Sequence, residues 1–156
     1  MNKLAPKGRN DDHDMTYTEI QPGIFLGSDF CKGGVCLIHN EEFKRLGVSY
    51  EINLSEEGNE LPPNNISGYL WIPVVDGYAP TSEQMEMGVA FIHQALEKGK
   101  KVYVHCKNGH GRSPTLIAAY LKRHRSMTVD EAMDFIRDKR EEIHIEETQR
   151  KALEEF

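Results

Sequence analysis

An excess of positive charge is missing from this chain, as are any long apolar run and any surplus of cysteine. Its 25 acidic residues outnumber 19 basic ones, for a formal net charge of −6. That balance argues against a nucleic-acid coat or a membrane-surface protein, while leaving room for a local basic pocket. The longest apolar stretches fall far short of the length that spans a bilayer. The opening MNKLAPKGRNDDHDM lacks the apolar core of a secretory signal, so the expected location is the cytoplasm. Three cysteines cannot all pair within the chain, and a reducing compartment keeps most of them as thiols. Cys31 and Cys36 lie in DFCKGGVCLIHN, with His39 close behind. A metal site there would need a fourth ligand at a sensible spacing, and no second Cys/His pair stands nearby. Small apolar side chains near a helix start are the plainer reading, with zinc or a redox pair as the alternative.

What is present is one domain's worth of ordinary globular sequence: 156 residues, 38% hydrophobic and 28% charged, a profile far from that of a disordered chain. Residues 1–15 are polar with almost no apolar pattern and are expected to form a mobile tail; residues 16–156 are expected to form a single domain. YTEIQPGIFLGS predicts two strands broken at Pro22-Gly23. Asn40 is a candidate N-cap for EEFKRLG, closed by Gly47. VSYEINL and GYLWIPVV, the latter ending at Asp76, predict strands. Thr81 and Gln84 form a capping box before a helix with Met85, Val89, Ile92, Ala95 and Leu96 at helical spacing, and Gly99 ends it. KKVYVHC predicts a strand apolar enough to be central. Ser113-Pro114 suits the start of a helix over TLIAAYLKRH, whose Leu116, Ile117, Tyr120 and Leu121 read as core. Thr128 and Glu131 form another capping box, EEIHIEET reads as a solvated acidic face, and EETQRKALEEF closes the chain. Strands alternating with helices imply an α/β domain, a central mostly parallel sheet flanked by helices. Such sheets collect ligands where strands end and helices begin.

One such junction carries VHCKNGHGRSPT, residues 104–115. A strand stopping at Cys106, a loop with Gly109 and Gly111, and a following helix N-terminus together offer inward-pointing N–H groups and a partial positive charge. Arg112 adds a planar, permanently charged fork matched to two phosphate oxygens. The same field favours the thiolate of Cys106, placing a strong nucleophile beneath a bound tetrahedral dianion. No metal or cofactor is expected, because Arg112 and the amides supply the positive charge.

HCKNGHGRS matches H-C-x5-R-[ST], and on this motif the chain resembles the cysteine-dependent protein tyrosine phosphatases; the following Pro-Thr makes it most similar to their dual-specificity branch. YTEIQPGIFLGS, EEFKRLGVSYEINL, IPVVDGYAP and AMDFIRDKREEI resemble other segments of that branch, so the likeness runs over residues 16–156. It implies a phosphatase-type fold and a phospho-cysteine intermediate. Cys106 would be the nucleophile and Arg112 the phosphate grip, with Ser113 helping the thiolate leave, a role compatible with capping the helix. His105 would hold the loop and tune the thiolate. Lys107, Asn108, Gly109, His110 and Gly111 would line the phosphate site; His110 faces either phosphate or solvent, and Lys107 and His110 either recruit a second phosphate or are simply solvated. Asp76, at the end of an apolar strand, matches the family's general acid, the alternative being a turn-forming Asp-Gly. Glu56 and Glu57 compete at another strand end but match no acid position in the family.

The expected activity is phosphomonoester hydrolysis on a phosphorylated protein, phosphotyrosine and also phosphoserine or phosphothreonine, by a monomer needing neither membrane nor nucleic acid. An alternative keeps the chemistry and changes the substrate to a phosphoinositide, nucleotide or RNA 5′-phosphate. A third is a phosphate-binding pseudoenzyme, disfavoured because Cys106, Arg112 and Asp76 are all present.

Overall fold

In the computed structural model of the chain the described residues are 16–30, 37–59, 61, 62 and 64–156. The tail expected over residues 1–15 and the pair Cys31 and Cys36 lie outside them. Strands β1 (Tyr17–Gln21) and β2 (Ile24–Gly27) form an antiparallel hairpin turning at Pro22-Gly23, where Gly23 takes a φ of 91°. Helix α1 (Leu37–Leu46) leads into β3 (Val48–Ser55) and β4 (Gly68–Val74). Then follow α2 (Ser82–Glu97), β5 (Lys101–His105), α3 (Arg112–Arg125), α4 (Val129–Lys139) and α5 (Glu147–Glu155). The sheet order is β1-β2-β5-β3-β4, and every pairing beyond the hairpin is parallel. This is the expected α/β class, with KKVYVHC supplying the middle strand.

Local chemistry accounts for most element ends. Both capping boxes form, Thr81 with Gln84 and Thr128 with Glu131. Two expected caps do not. Helix α1 begins at Leu37, so Asn40 lies inside it, and its Oδ1 is buried with no hydrogen-bond partner among the described residues. Ser113 does not cap α3, which begins at Arg112 with Gly111 as its cap. Pro114 still falls in the first turn, where a missing N–H interrupts no helical bond.

The two-residue period of a strand sorts β5 between two cores. Val102, Val104 and Cys106 join the large cluster shared with α2, α3, α4 and α5, including the buried Leu116, Ile117, Tyr120 and Leu121. Each large apolar side chain so buried stabilises the fold by about 1.5–3 kcal/mol. Tyr103 points the other way, into Phe25, Phe30, Phe43 and Val48 beneath α1. His105 shares that face, its ring 5.7 Å from Tyr103 and 5.5 Å from His39. Alternation therefore sends Cys106 and His105 to opposite sides of the sheet. Among the described residues no helix is long and apolar enough to cross a membrane.

Candidate active site

Beyond β5 the chain from Cys106 to Gly111 curls over the N-terminus of α3. Gly109 makes the curl possible: its φ is 73°, and a Cβ there would stand 2.5 Å from the Gly27 carbonyl oxygen. Gly27 is equally confined, since its own Cβ would meet the Tyr103 hydroxyl at 2.2 Å. Two glycines on neighbouring segments thus let the loop lie against β2. Gly111 has an ordinary backbone angle (φ −128°) and is needed for neither purpose; a Cβ there would touch Gln149 and the His144 carbonyl at 3.3 Å.

Six consecutive carbonyls of this loop are tied outward. Cys106 O meets His105 Nδ1 at 3.3 Å, and Lys107 O accepts from the Asp29 N–H at 3.0 Å. Asn108 O accepts from the Ser28 hydroxyl at 3.3 Å and Arg140 Nη2 at 2.9 Å. Gly109 O takes Arg140 Nε at 3.1 Å, His110 O takes the His144 N–H at 2.7 Å, and Gly111 O takes the Thr115 hydroxyl at 2.8 Å. A peptide plane whose carbonyl points out points its N–H in. The loop therefore presents its amides to the centre, where they form an anion nest.

Cys106 Sγ lies at that centre, 3.0 Å from the Ser113 hydroxyl. Burial by itself would push the thiol up. The Arg112 charge, the Ser113 hydroxyl and the backbone N–H groups of Ser113 and Gly109 outweigh burial and hold it below the ordinary thiol value. Opposite, the Arg112 guanidinium is 1% exposed. Glu57 clamps it bidentately, Oε2 at 2.7 Å from Nη1 and Oε1 at 2.6 Å from Nη2, and Val74 O accepts a further bond from Nη1 at 2.9 Å. Burial opposes the arginine's charge; Glu57, the Cys106 sulfur and Asp76 more than restore it. Nε alone is buried without a hydrogen bond among the described residues, its ion pair to Asp76 being longer at 3.5 Å, which leaves a charged donor for a bound anion.

Asp76 stands in the turn after β4 with its carboxylate 82% exposed and 3.5 Å from Arg112 Nε. Helix α5 holds that turn: the Thr148 hydroxyl donates to Gly77 O at 2.7 Å and Gln149 Nε2 to Tyr78 O at 3.0 Å. Between loop and turn lies a cavity of about 300 Å³ lined by Asp76, Gly77, Cys106, Lys107, Asn108, His110, Gly111, Arg112, His144, Glu146 and Gln149. Such a space takes a phosphate group and a short part of what carries it.

The fold thus gathers Cys106, Lys107, Asn108, His110, Gly111, Arg112 and Asp76 around one cavity. Gly109 and Ser113 act on the sulfur from below, and His105 lies behind it. Four participants escaped the sequence reading. Glu57 matched no acid position because its task is holding Arg112. Arg140, at the end of α4, is buried among loop carbonyls and the hydroxyls of Thr16 and Thr18. His144 belongs to the stretch read as a solvated face, and Gln149 to the closing stretch EETQRKALEEF. EEIHIEET instead buries Ile143 and lends His144 and Glu146 to the cavity wall. The only sequence signal there was the apolar pair Ile143 and Ile145 flanking His144.

Residues 31–156 match the family described as dual specificity phosphatase, catalytic domain. A curated relative from Arabidopsis thaliana, phosphatidylglycerophosphate phosphatase PTPMT2, is 41% identical over 119 residues, covering 72% of this chain and 52% of the relative. Dual specificity protein phosphatase 5 of Homo sapiens is 35% identical over 123 residues, covering 78% of this chain and 30% of the relative. The chain thus spans about half the length, or less, of these relatives. A crystal structure of PTPMT1 in complex with PI(5)P superposes with a TM-score of 0.76 at 26% identity, covering 89% of this chain and 92% of the other.

Proposed function

This chain belongs to the dual specificity phosphatase catalytic-domain family, and from that premise we propose that it hydrolyses phosphate monoesters through a phospho-cysteine intermediate. The observation that carries the proposal is the row of six outward-tied carbonyls over Cys106. It leaves inward amides and the unspent Arg112 Nε to hold three phosphoryl oxygens. The Cys106 thiolate attacks phosphorus, the S–P bond forms, and the ester P–O bond breaks. The leaving oxygen takes the proton of the Asp76 carboxyl, whose exposed position gives it reach over the cavity. In the second displacement the Asp76 carboxylate takes a proton from water, the water oxygen bonds to phosphorus, and the thiolate departs. The Ser113 hydroxyl, 3.0 Å from Sγ, donates to the departing sulfur. Cys106→Ser is expected to keep binding tungstate, a tetrahedral dianion that needs no bond to sulfur, while losing turnover of an aryl phosphate. Retained turnover would sink the covalent route.

For the substrate, two observations favour a phosphate monoester on a lipid headgroup over the phosphorylated protein that the sequence reading puts first. Val75 and Tyr78, exposed at 48% and 60%, adjoin in sequence the cavity-lining Asp76 and Gly77, and exposed apolar side chains on that turn suit an acyl-bearing substrate. PTPMT2 of Arabidopsis thaliana carries a phosphatidylglycerophosphate phosphatase name. The protein reading keeps the support of the likeness to dual specificity protein phosphatase 5. Turnover on phosphatidylglycerophosphate vesicles, set against phosphotyrosine and phosphothreonine peptides at fixed pH, separates the two. A higher kcat/KM on either peptide would overturn the headgroup assignment.

A further inference from the structure

Behind the nucleophile, on the α1 face of the sheet, lies a buried acid–imidazole cluster that the hydrolytic mechanism does not use. Its central member is Glu51, 2% exposed on β3. Register places Glu51 opposite Tyr103 and Asn53 opposite His105, so Glu51 is the diagonal neighbour of His105 on the same face. Glu51 Oε1 stands 2.8 Å from His105 Nε2, while His105 Nδ1 stands 3.3 Å from the Cys106 carbonyl. Where Glu51 is ionised, its carboxylate and the carbonyl can only accept, so both ring nitrogens donate. The His105 ring is then an imidazolium behind Cys106. Glu51 also carries a cost that an apolar residue at this strand position would not: its Oε2 is buried with no hydrogen-bond partner among the described residues.

We propose that Glu51 is a positioning residue that keeps His105 doubly donating, and through it turns the Cys106 peptide outward and stabilises the thiolate. The inference rests on the thiolate chemistry proposed for this site. The ionisable groups around His105 come from several elements. Glu51 comes from β3, Tyr69 from β4, Asp29 from the segment after β2, His39 from α1, Tyr103 from β5 itself, and Cys106 follows in the chain. His39 Nε2 accepts from the Phe30 N–H at 3.3 Å with Asp29 Oδ1 at 3.8 Å, and its Nδ1 lies 4.0 Å from Glu51 Oε1. Burial works against a charged His105, but the Glu51 hydrogen bond and the Asp29 and Glu51 charges raise it to about 9. Candidate ligand atoms of Asp29, His39 and His105 all lie within 4.8 Å of one another. Cation binding would nevertheless have to displace protons or donors from His105 and from His39 Nε2, so the cluster is built to hold protons.

The test reads the thiolate without any substrate. The rate of Cys106 alkylation by iodoacetamide against pH gives its titration. Glu51→Gln is expected to move that titration up by about one unit, slowing alkylation at pH 6 roughly tenfold. His105→Asn keeps a side-chain donor for the Cys106 carbonyl but removes the charge, so adding Glu51→Gln in that background should shift nothing more. An unchanged titration in folded Glu51→Gln, or an equal shift in both backgrounds, overturns the proposal. Should the variant fail to fold, nitrogen-detected NMR of the native His105 ring decides: two N–H groups at pH 7 support it, and a neutral tautomer overturns it. Stoichiometric metal in the purified protein, with His105 resonances that respond to chelator, would also overturn it. Loss of the phosphatase reading alone would leave the alkylation shift intact.

Discussion

Arg112 has to stay charged while almost fully buried, and Glu57 meets that need from one edge of the guanidinium while leaving Nε toward the cavity. Burial tends to raise the Glu57 carboxyl, yet its bonds to Arg112 and to backbone hold it below the usual glutamate range. The pair is therefore ionised on both sides through the neutral range. Removing the carboxylate frees the fork to rotate away from the phosphate it must hold. Glu57→Gln is expected to lower kcat/KM on an aryl phosphate by about 10- to 100-fold. Iodoacetamide titration of Cys106 checks that the loop survives. The sequence showed Glu56 and Glu57 at a strand end but gave no reason to prefer either, because an ion pair across 55 residues leaves no local pattern. Ser113 failed in the other direction. Serine before proline is a good cap by local rules, but α3 starts two residues earlier, at Arg112, and the hydroxyl goes to the sulfur instead.

At the scale of elements, the phosphate loop is shaped as much by its neighbours as by its own glycines. Helix α4 ends where Arg140 can reach the Gly109 and Asn108 carbonyls and, on the far side, Thr16 just before β1 and Thr18 within it. One buried guanidinium thus stitches the last helix turn, the first strand and the loop. Arg140→Met fills much of the same volume while leaving the Gly109 carbonyl without a donor and the Asn108 carbonyl with only the Ser28 hydroxyl. It is expected to cost about 3 kcal/mol of stability, read as a lower urea midpoint, and to weaken vanadate binding. Full vanadate affinity in a folded Arg140→Met protein would show that the glycines suffice. Helix α5 plays the matching part for the acid turn through Thr148 and Gln149. The element boundaries themselves were largely readable. Both Thr-x-x-Glu/Gln boxes formed, and the apolar KKVYVHC became the middle strand, because capping and periodicity are local effects.

For the molecule as a whole, the buried His105–Glu51 pair links stability to pH. A histidine raised from 6.5 to about 9 contributes its full stabilisation below about pH 6.5 and loses it as pH climbs through 9. The depressed Cys106 thiol has the opposite sign, its contribution being complete above the ordinary thiol value and lost as pH falls. Measured in Cys106→Ser, where only the first slope remains, Tm is expected to fall by several degrees between pH 7 and pH 9.5. A flat profile there would mean that His105 is not charged in the fold. The sequence by itself determined the fold class, the parallel sheet's central strand and the loop running from Cys106 to Ser113. Those features depend on residues adjacent in the chain, whose periodicity and spacing are written in order. The tertiary structure decided which carboxylate faces Arg112, which arginine closes the loop, which glutamate faces His105 and where the acid turn is tied. These partners meet only because sheet order sets β3 against β5 and folds α4 and α5 back over the loop. Contacts made across tens of residues are fixed by packing geometry, which no short stretch of sequence encodes.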